Sequence, residues 1–119
     1  MEPYIMPSNV EMYDEAIQLE AQGDRAAAIE KLRALIEQDA DYSLGHAALA
    51  VFLRKEDQFD EAVEHAETVC RLEPDNAFAY VALSLVCQKA GRQEEAERAM
   101  AEARNVTIRA QMQQQQEQE

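Results

Sequence analysis

Chemistry in this chain would have to come from its two cysteines and two histidines. A catalytic thiol needs a neighbouring base or cation to hold it as thiolate. Cys70 and Cys87 lie outside CxxC spacing, so their pattern points to buried, reduced thiols that pack as small apolar groups. His46 sits in the apolar run Leu44–Leu53 and is expected to be a hydrogen-bonded packing residue. His65 follows Glu61 by one helical turn, which would place two metal ligands on one face. Zinc sites use at least three protein ligands, so a solvated Glu–His pair is the expectation. No Gly-rich phosphate loop is present, and no Ser or Cys is arranged with a His as a nucleophile. These residues predict no enzyme, no metal and no cofactor.

Composition points the same way. Apolar residues make up 47% of the 119 residues but aromatics only 6%, with no Trp. That mix suits helices packed through Ala, Leu, Ile and Val better than a sheet. Acidic residues outnumber basic ones 24 to 11, for a net charge of −13. Such a surface repels phosphate, which argues against nucleic acid and anionic membranes as partners. The N-terminal residues show no signal-peptide pattern, Glu2 excludes N-myristoylation, and no apolar run reaches bilayer-spanning length. A cytoplasmic protein is expected.

Any surface site must therefore be built by the elements themselves, and these repeat. A shift of 34 residues brings Ala28 onto Ala62 and Ala96, Gly23 onto Asp57 and Gly91, and Leu35 onto Val69 and Ala103. A fixed period of this length marks a stacked repeat. Each unit reads as two helices: 9–22 with 25–38, 42–56 with 58–73, and 76–90 with 93–110. Gly23 and Gly91 stand at helix exits, where a left-handed residue closes the helix; Asp57 takes that place in the middle unit. Ser8 with Glu11 forms a capping box, Asp24, Asp41 and Asp57 are further cap candidates, and Pro74 ends the second unit.

The segment Phe59-Asp60-Glu61-Ala62 through Val69, Leu72, Glu73, Pro74, Asp75 and Asn76 closely resembles the tetratricopeptide repeat. With units counted from Asn9, Ser43 and Ala77, position 8 is Ala16, Ala50 and Ser84, and position 20 is Ala28, Ala62 and Ala96. Unit one matches more weakly, with Met12, Glu15 and Leu19 at the large positions of its first helix and Ala40 where Pro is usual. The resemblance covers roughly residues 9–108. It implies an all-α, right-handed superhelical stack of three antiparallel helix hairpins, with units 9–42, 43–76 and 77–110. An N-terminal arm, 1–8, precedes the domain, and a polar Gln/Glu-rich tail, 111–119, follows it. The tail is expected to be disordered. The cluster Tyr4-Ile5-Met6 is read either as a disordered terminus or as an extended apolar arm lying in a groove.

By the same resemblance, the concave groove is lined by Val10, Tyr13 and Ile17 of the first unit, Leu44, Ala47, Val51, Arg54 and Lys55 of the second, and Phe78, Val81, Leu85 and Lys89 of the third. Its floor is apolar and its lower rim basic. The family's carboxylate clamp for acidic C-termini is missing, since Tyr13, Ile17, Ala48, Phe78 and Ala82 occupy the clamp positions. The stretch Ala77–Cys87 is almost wholly apolar, and such a helix normally has every face covered. The charges on the second helices, such as Asp60, Glu64 and Glu94, form a solvated face. The expected function is a protein–protein interaction module, an adaptor or scaffold whose groove takes an apolar or amphipathic segment of a protein partner. The alternative is a homo-oligomer that buries the groove and the uncapped end of the stack.

Overall fold

A computed structural model describes residues 5–118. These form six helices: α1 (Asn9–Ala21), α2 (Arg25–Gln38), α3 (Ser43–Lys55), α4 (Phe59–Leu72), α5 (Ala77–Lys89) and α6 (Gln93–Gln118). There is no strand among the described residues. The helices pack as three antiparallel hairpins, α1–α2, α3–α4 and α5–α6, stacked in chain order through α2 on α3 and α4 on α5.

Each hairpin turns on the same backbone device. The amide of Asp24 donates to the carbonyl of Leu19 at 2.9 Å, and that of Gly23 to Glu20 at 2.9 Å. The same two bonds recur as Gln58 to Leu53 with Asp57 to Arg54, and as Arg92 to Cys87 with Gly91 to Gln88. This is a Schellman turn, which needs one left-handed residue. The left-handed residues are Gly23 (φ 92), Asp57 (φ 60) and Gly91 (φ 77), the three positions that the 34-residue shift aligned.

Caps follow the sequence less closely. Ser8 Oγ accepts from the Glu11 amide at 3.1 Å, and Asp24 from Ala27 at 3.1 Å. Asp41 and Asp57 cap nothing: the N-cap residues of α3 and α4 are Tyr42 and Gln58, and neither makes a side-chain cap bond. Asp57 is committed to the left-handed turn. Asn76 caps α5 through the Phe78 amide at 3.0 Å.

The core runs through all three hairpins. At each crossing the small residues are buried: Ala16 with Ala28, Ala50 with Ala62, and Ser84 with Ala96, where Ser84 Oγ donates to the Ala96 carbonyl at 2.8 Å. Leu32, Leu35, Leu49, Leu53 and Val63 fill the space around them. Between the first two hairpins α3 leans closely on α2 because residue 45 is Gly; a Cβ there would stand 3.2 Å from Ile36 Cγ2.

From the sequence the last helix is expected to run on past Val106 and fade into the tail; α6 runs unbroken to Gln118, and residues 107–118 project beyond the last buried side chain, Val106. Gln and Glu are good helix formers, no Gly or Pro intervenes, and a helix nucleated upstream only has to propagate. Of the arm, Ile5 and Met6 are exposed and the Pro7 carbonyl accepts from Gln38 Nε2 at 3.1 Å; Tyr4 lies outside the described residues.

The turns provide a direct test. Gly23→Ala forces a Cβ into the left-handed region and should cost about 1–2 kcal/mol, whereas Asp57→Gly should add about 0.5–1 kcal/mol by relieving the same strain. Urea midpoints of the two variants are expected to move in opposite directions.

Candidate functional site

The first helices of the second and third hairpins, α3 and α5, lie side by side and leave a cleft of about 470 Å³ between them. Leu44, Ala47 and Val51 line it from α3, and Phe78, Ala82 and Leu85 from α5. Its floor is the buried small surface of Ala50, Ala66, Val69, Ala79 and Val86. Phe78 is 83% exposed, Leu44 53% and Leu85 52%, so large apolar side chains stand in water around an apolar cleft.

Charge divides the cleft along its length. Glu73 closes the end where α3 and α5 begin. Its carboxylate accepts from Ser43 Oγ and, at 3.5 Å, from Asn76 Nδ2. Arg54 and Lys89 close the opposite end. Among the described residues neither forms an ion pair, while their neighbour Lys55 is held by Glu20 at 3.4 Å.

Of the residues expected in the groove, the cleft brings together Leu44, Ala47, Val51, Arg54, Phe78, Leu85 and Lys89. Val10, Tyr13, Ile17, Lys55 and Val81 do not line it. Val10 and Ile17 are exposed on α1, and Tyr13 turns to Tyr42, ring to ring at 6.3 Å. Sequence reasoning missed the floor and the Glu73–Ser43–Asn76 end. The floor residues belong partly to α4, and Glu73 with Asn76 flanks the turn between hairpins, so helix-face periodicity alone does not assign them to a groove.

The chemistry-bearing residues lie elsewhere. Cys70 and Cys87 are free and buried. Burial, followed by Glu67, pushes the Cys70 thiol up to about 11, and burial, followed by Glu95, raises that of Cys87. Both are protonated at neutral pH and poor nucleophiles. The histidines meet across the second hairpin, which their spacing did not reveal. His46 Nε2 lies 2.7 Å from the Ala40 carbonyl and its Nδ1 lies 3.0 Å from His65 Nδ1. A carbonyl only accepts, so His46 Nε2 carries the proton, its Nδ1 accepts, and His65 Nδ1 donates. His65 Nε2 then faces Glu61 at 3.8 Å, which is also bonded by Arg33 at 3.1 Å. No group of three His, Cys, Asp or Glu side chains among the described residues is arranged to hold a metal ion, and no described helix is long and apolar enough to cross a membrane.

Solved structures with this arrangement exist. MamA superposes on 88% of this chain with a TM-score of 0.80 at 20% identity, and the second TPR of Spaghetti (RPAP3), bound to the HSP90 peptide SRMEEVD, on 82% with 0.74 at 18%. This is the tetratricopeptide fold. The CopN–Scc3 complex contains it as well, with a TM-score of 0.77 over 82% of this chain at 19% identity. This chain spans 61% of the MamA chain and 58% of the CopN–Scc3 chain, but 91% of the RPAP3 one. Neither family models nor curated proteins yield a match to this sequence.

Two expectations follow for this tetratricopeptide stack. Leu49 is fully buried against α4, so Leu49→Ala should cost about 2–5 kcal/mol. Val51→Asp and Leu85→Asp place a carboxylate in the open cleft and should stay near the surface range of about 0.5 kcal/mol. Thermal and urea melts of the three variants separate core from groove. Leu83, on the same face of α5 as Cys87, is only half-buried and sits at the edge of an open crevice under α6, so its truncation should cost less than that of Leu49.

His65 links stability to pH. Burial, then the coulombic effect of the adjacent His46, lowers its pKa below 6.5, outweighing the opposite pull of Glu61 and Glu64; Arg33 also lowers it. The unfolded chain therefore binds the proton first as pH falls, and the stability that the neutral ring contributes is present above 6.5 and lost from there down through the lower folded value. Unfolding free energies between about pH 7.5 and 5.5 should fall for the native chain and fall less for His65→Gln.

Proposed function

We propose that this protein is a protein-interaction module, not an enzyme, whose α3–α5 cleft takes an apolar or amphipathic helical segment of a protein. The observation that carries this reading is the continuous apolar lining from Leu44 and Phe78 to Val51 and Leu85, open to solvent above a buried floor. Docking one apolar stripe of a helix into such a trough is a recurring recognition mode. The two cations at one end and the carboxylate at the other add orientation more than affinity.

The likeness to the peptide-bound RPAP3 domain supports a binding role for the fold, although the acidic peptide named there is a poor guide to the ligand here. The groove expected from the sequence places Tyr13 and Ile17, then Ala48, then Phe78 and Ala82, at positions where gripping a carboxylate would require polar side chains. The net charge of −13 disfavours nucleic acid and anionic membranes as partners, and the reading is that of a cytoplasmic adaptor or scaffold.

The test is site-specific photocrosslinking in cells, with p-benzoyl-phenylalanine at Phe78 in the groove and at Glu64 on the far side. Protein adducts from Phe78 that disappear when Val51→Asp and Leu85→Asp are added are the expected result. Adducts from Glu64 alone, or Phe78 adducts that ignore the groove substitutions, would overturn the assignment.

A further inference from the structure

We propose that the cleft of one copy receives the projecting end of α6 from a second copy, in a reciprocal two-fold dimer. The inference rests on the reading of the cleft as a helix-binding trough and names its occupant.

Length comes first. The walls of the cleft are helices of 13 residues, about 20 Å at 1.5 Å per residue. The segment 107–118 of α6 projects from the stack with every residue exposed, and at the same rise it is about 18 Å long. The ordered helix upstream lets it propagate, but it buries none of its own side chains on its own stack. Its large apolar side chains, Ile108 and Met112, are spaced i and i+4 and so share one face; both are more than half exposed.

Charge then sets the direction. Arg109 stands at the start of the projecting segment and Glu117 at its end. Among the described residues Arg109 pairs with Glu102 at 3.9 Å, on the surface. Laid parallel to α3 and α5, the segment brings Arg109 to the Glu73 end of the cleft and Glu117 to Arg54 and Lys89. Ile108 and Met112 then enter beside Leu44 and Phe78, the more exposed apolar pair, and the Gln-rich remainder runs over Ala82 and Leu85. The carboxyl end of the docked helix, with its negative dipole, also points at the two cations.

Symmetry requires the same direction. The segment leaves the stack beside Asp75, at the Glu73 end of its own cleft. Because α6 runs antiparallel to α5, a segment parallel to the partner's α5 demands that the two α5 helices be antiparallel to each other. A two-fold axis perpendicular to the helices does this, and it turns the two Glu73 ends toward one another so that each projection enters the opposite cleft. The polarity chosen by the charges is thus the one a closed dimer needs.

The experiment is sedimentation velocity on the full chain at about 150 mM salt, where a Debye length of about 8 Å screens the repulsion between two acidic copies. The native chain is expected to shift from monomer to dimer as concentration rises. Val51→Asp with Leu85→Asp in the cleft, and Ile108→Gln with Met112→Gln on the projection, should each weaken dimerisation at least about tenfold, with helical content unchanged in the far ultraviolet. An equimolar mixture of the two double variants should regain a dimer, because one intact projection meets one intact cleft. Arg54→Glu with Lys89→Glu should weaken association, and Glu117→Lys added to it should restore it. A native chain that stays monomeric throughout, a dimer that survives the projection variant, or a mixture that does not reassociate would overturn the proposal. A monomeric chain that still gives groove-dependent Phe78 crosslinks to another protein leaves the cleft as a binding site and removes only the second copy as its occupant.

Discussion

Everything in this molecule depends on how closely the two helices of a hairpin approach at their crossing. Ala16 and Ala28, Ala50 and Ala62, and Ser84 and Ala96 are all buried, the last pair joined by a hydrogen bond, and side chains of this size allow the axes to near the short end of the usual ~8–10 Å range. The Schellman turn then determines how soon the chain reverses. Together they give three hairpins of similar shape, and stacking similar shapes in register lines up α3 and α5 with a trough between them. The serine at the third crossing keeps the approach close because its hydroxyl, which would otherwise be a buried polar group without a partner, donates to the Ala96 carbonyl.

Most of this architecture was legible because it is repetitive. A left-handed position, a small residue at the crossing and a large residue between hairpins leave the same trace every 34 residues, and three copies of a weak signal make a strong one. What was illegible has no periodic trace. The pairing of His46 with His65 joins α3 to α4 at one place in the stack, without a counterpart in the other units. How far α6 continues past Val106 was not legible, because a Gln-rich segment has the composition of disordered chains, and composition says nothing about the ordered helix upstream that it extends. Seven of the twelve expected groove residues line the cleft; those on α1 fall away because the enclosed cleft lies between α3 and α5.

The strongly acidic charge is unevenly used. Several basic side chains are spent on ion pairs that bridge successive hairpins, such as Arg25 with Glu56, Arg33 with Glu61 and Arg92 with Asp60. Arg54 and Lys89 are left at the mouth of the trough. On a surface with excess carboxylates, two uncommitted cations beside exposed Val51 and Leu85 make a local contrast that a docking segment can read, while the rest of the surface repels polyanions.

The ionic rungs between hairpins have a mechanical side. The hairpins share one apolar core through α2 on α3 and α4 on α5, but α3 and α5 touch each other only lightly, and the bridging pairs Arg25–Glu56, Arg33–Glu61 and Arg92–Asp60 are partly open to solvent. Such pairs are each worth little and are weakened by salt. The stack is therefore held in register by the core shared between hairpins, with the ionic rungs a minor and salt-dependent addition. Widening the trough would require one hairpin to rotate against that shared core, so the resting gap between α3 and α5 limits the thickness of the segment that enters.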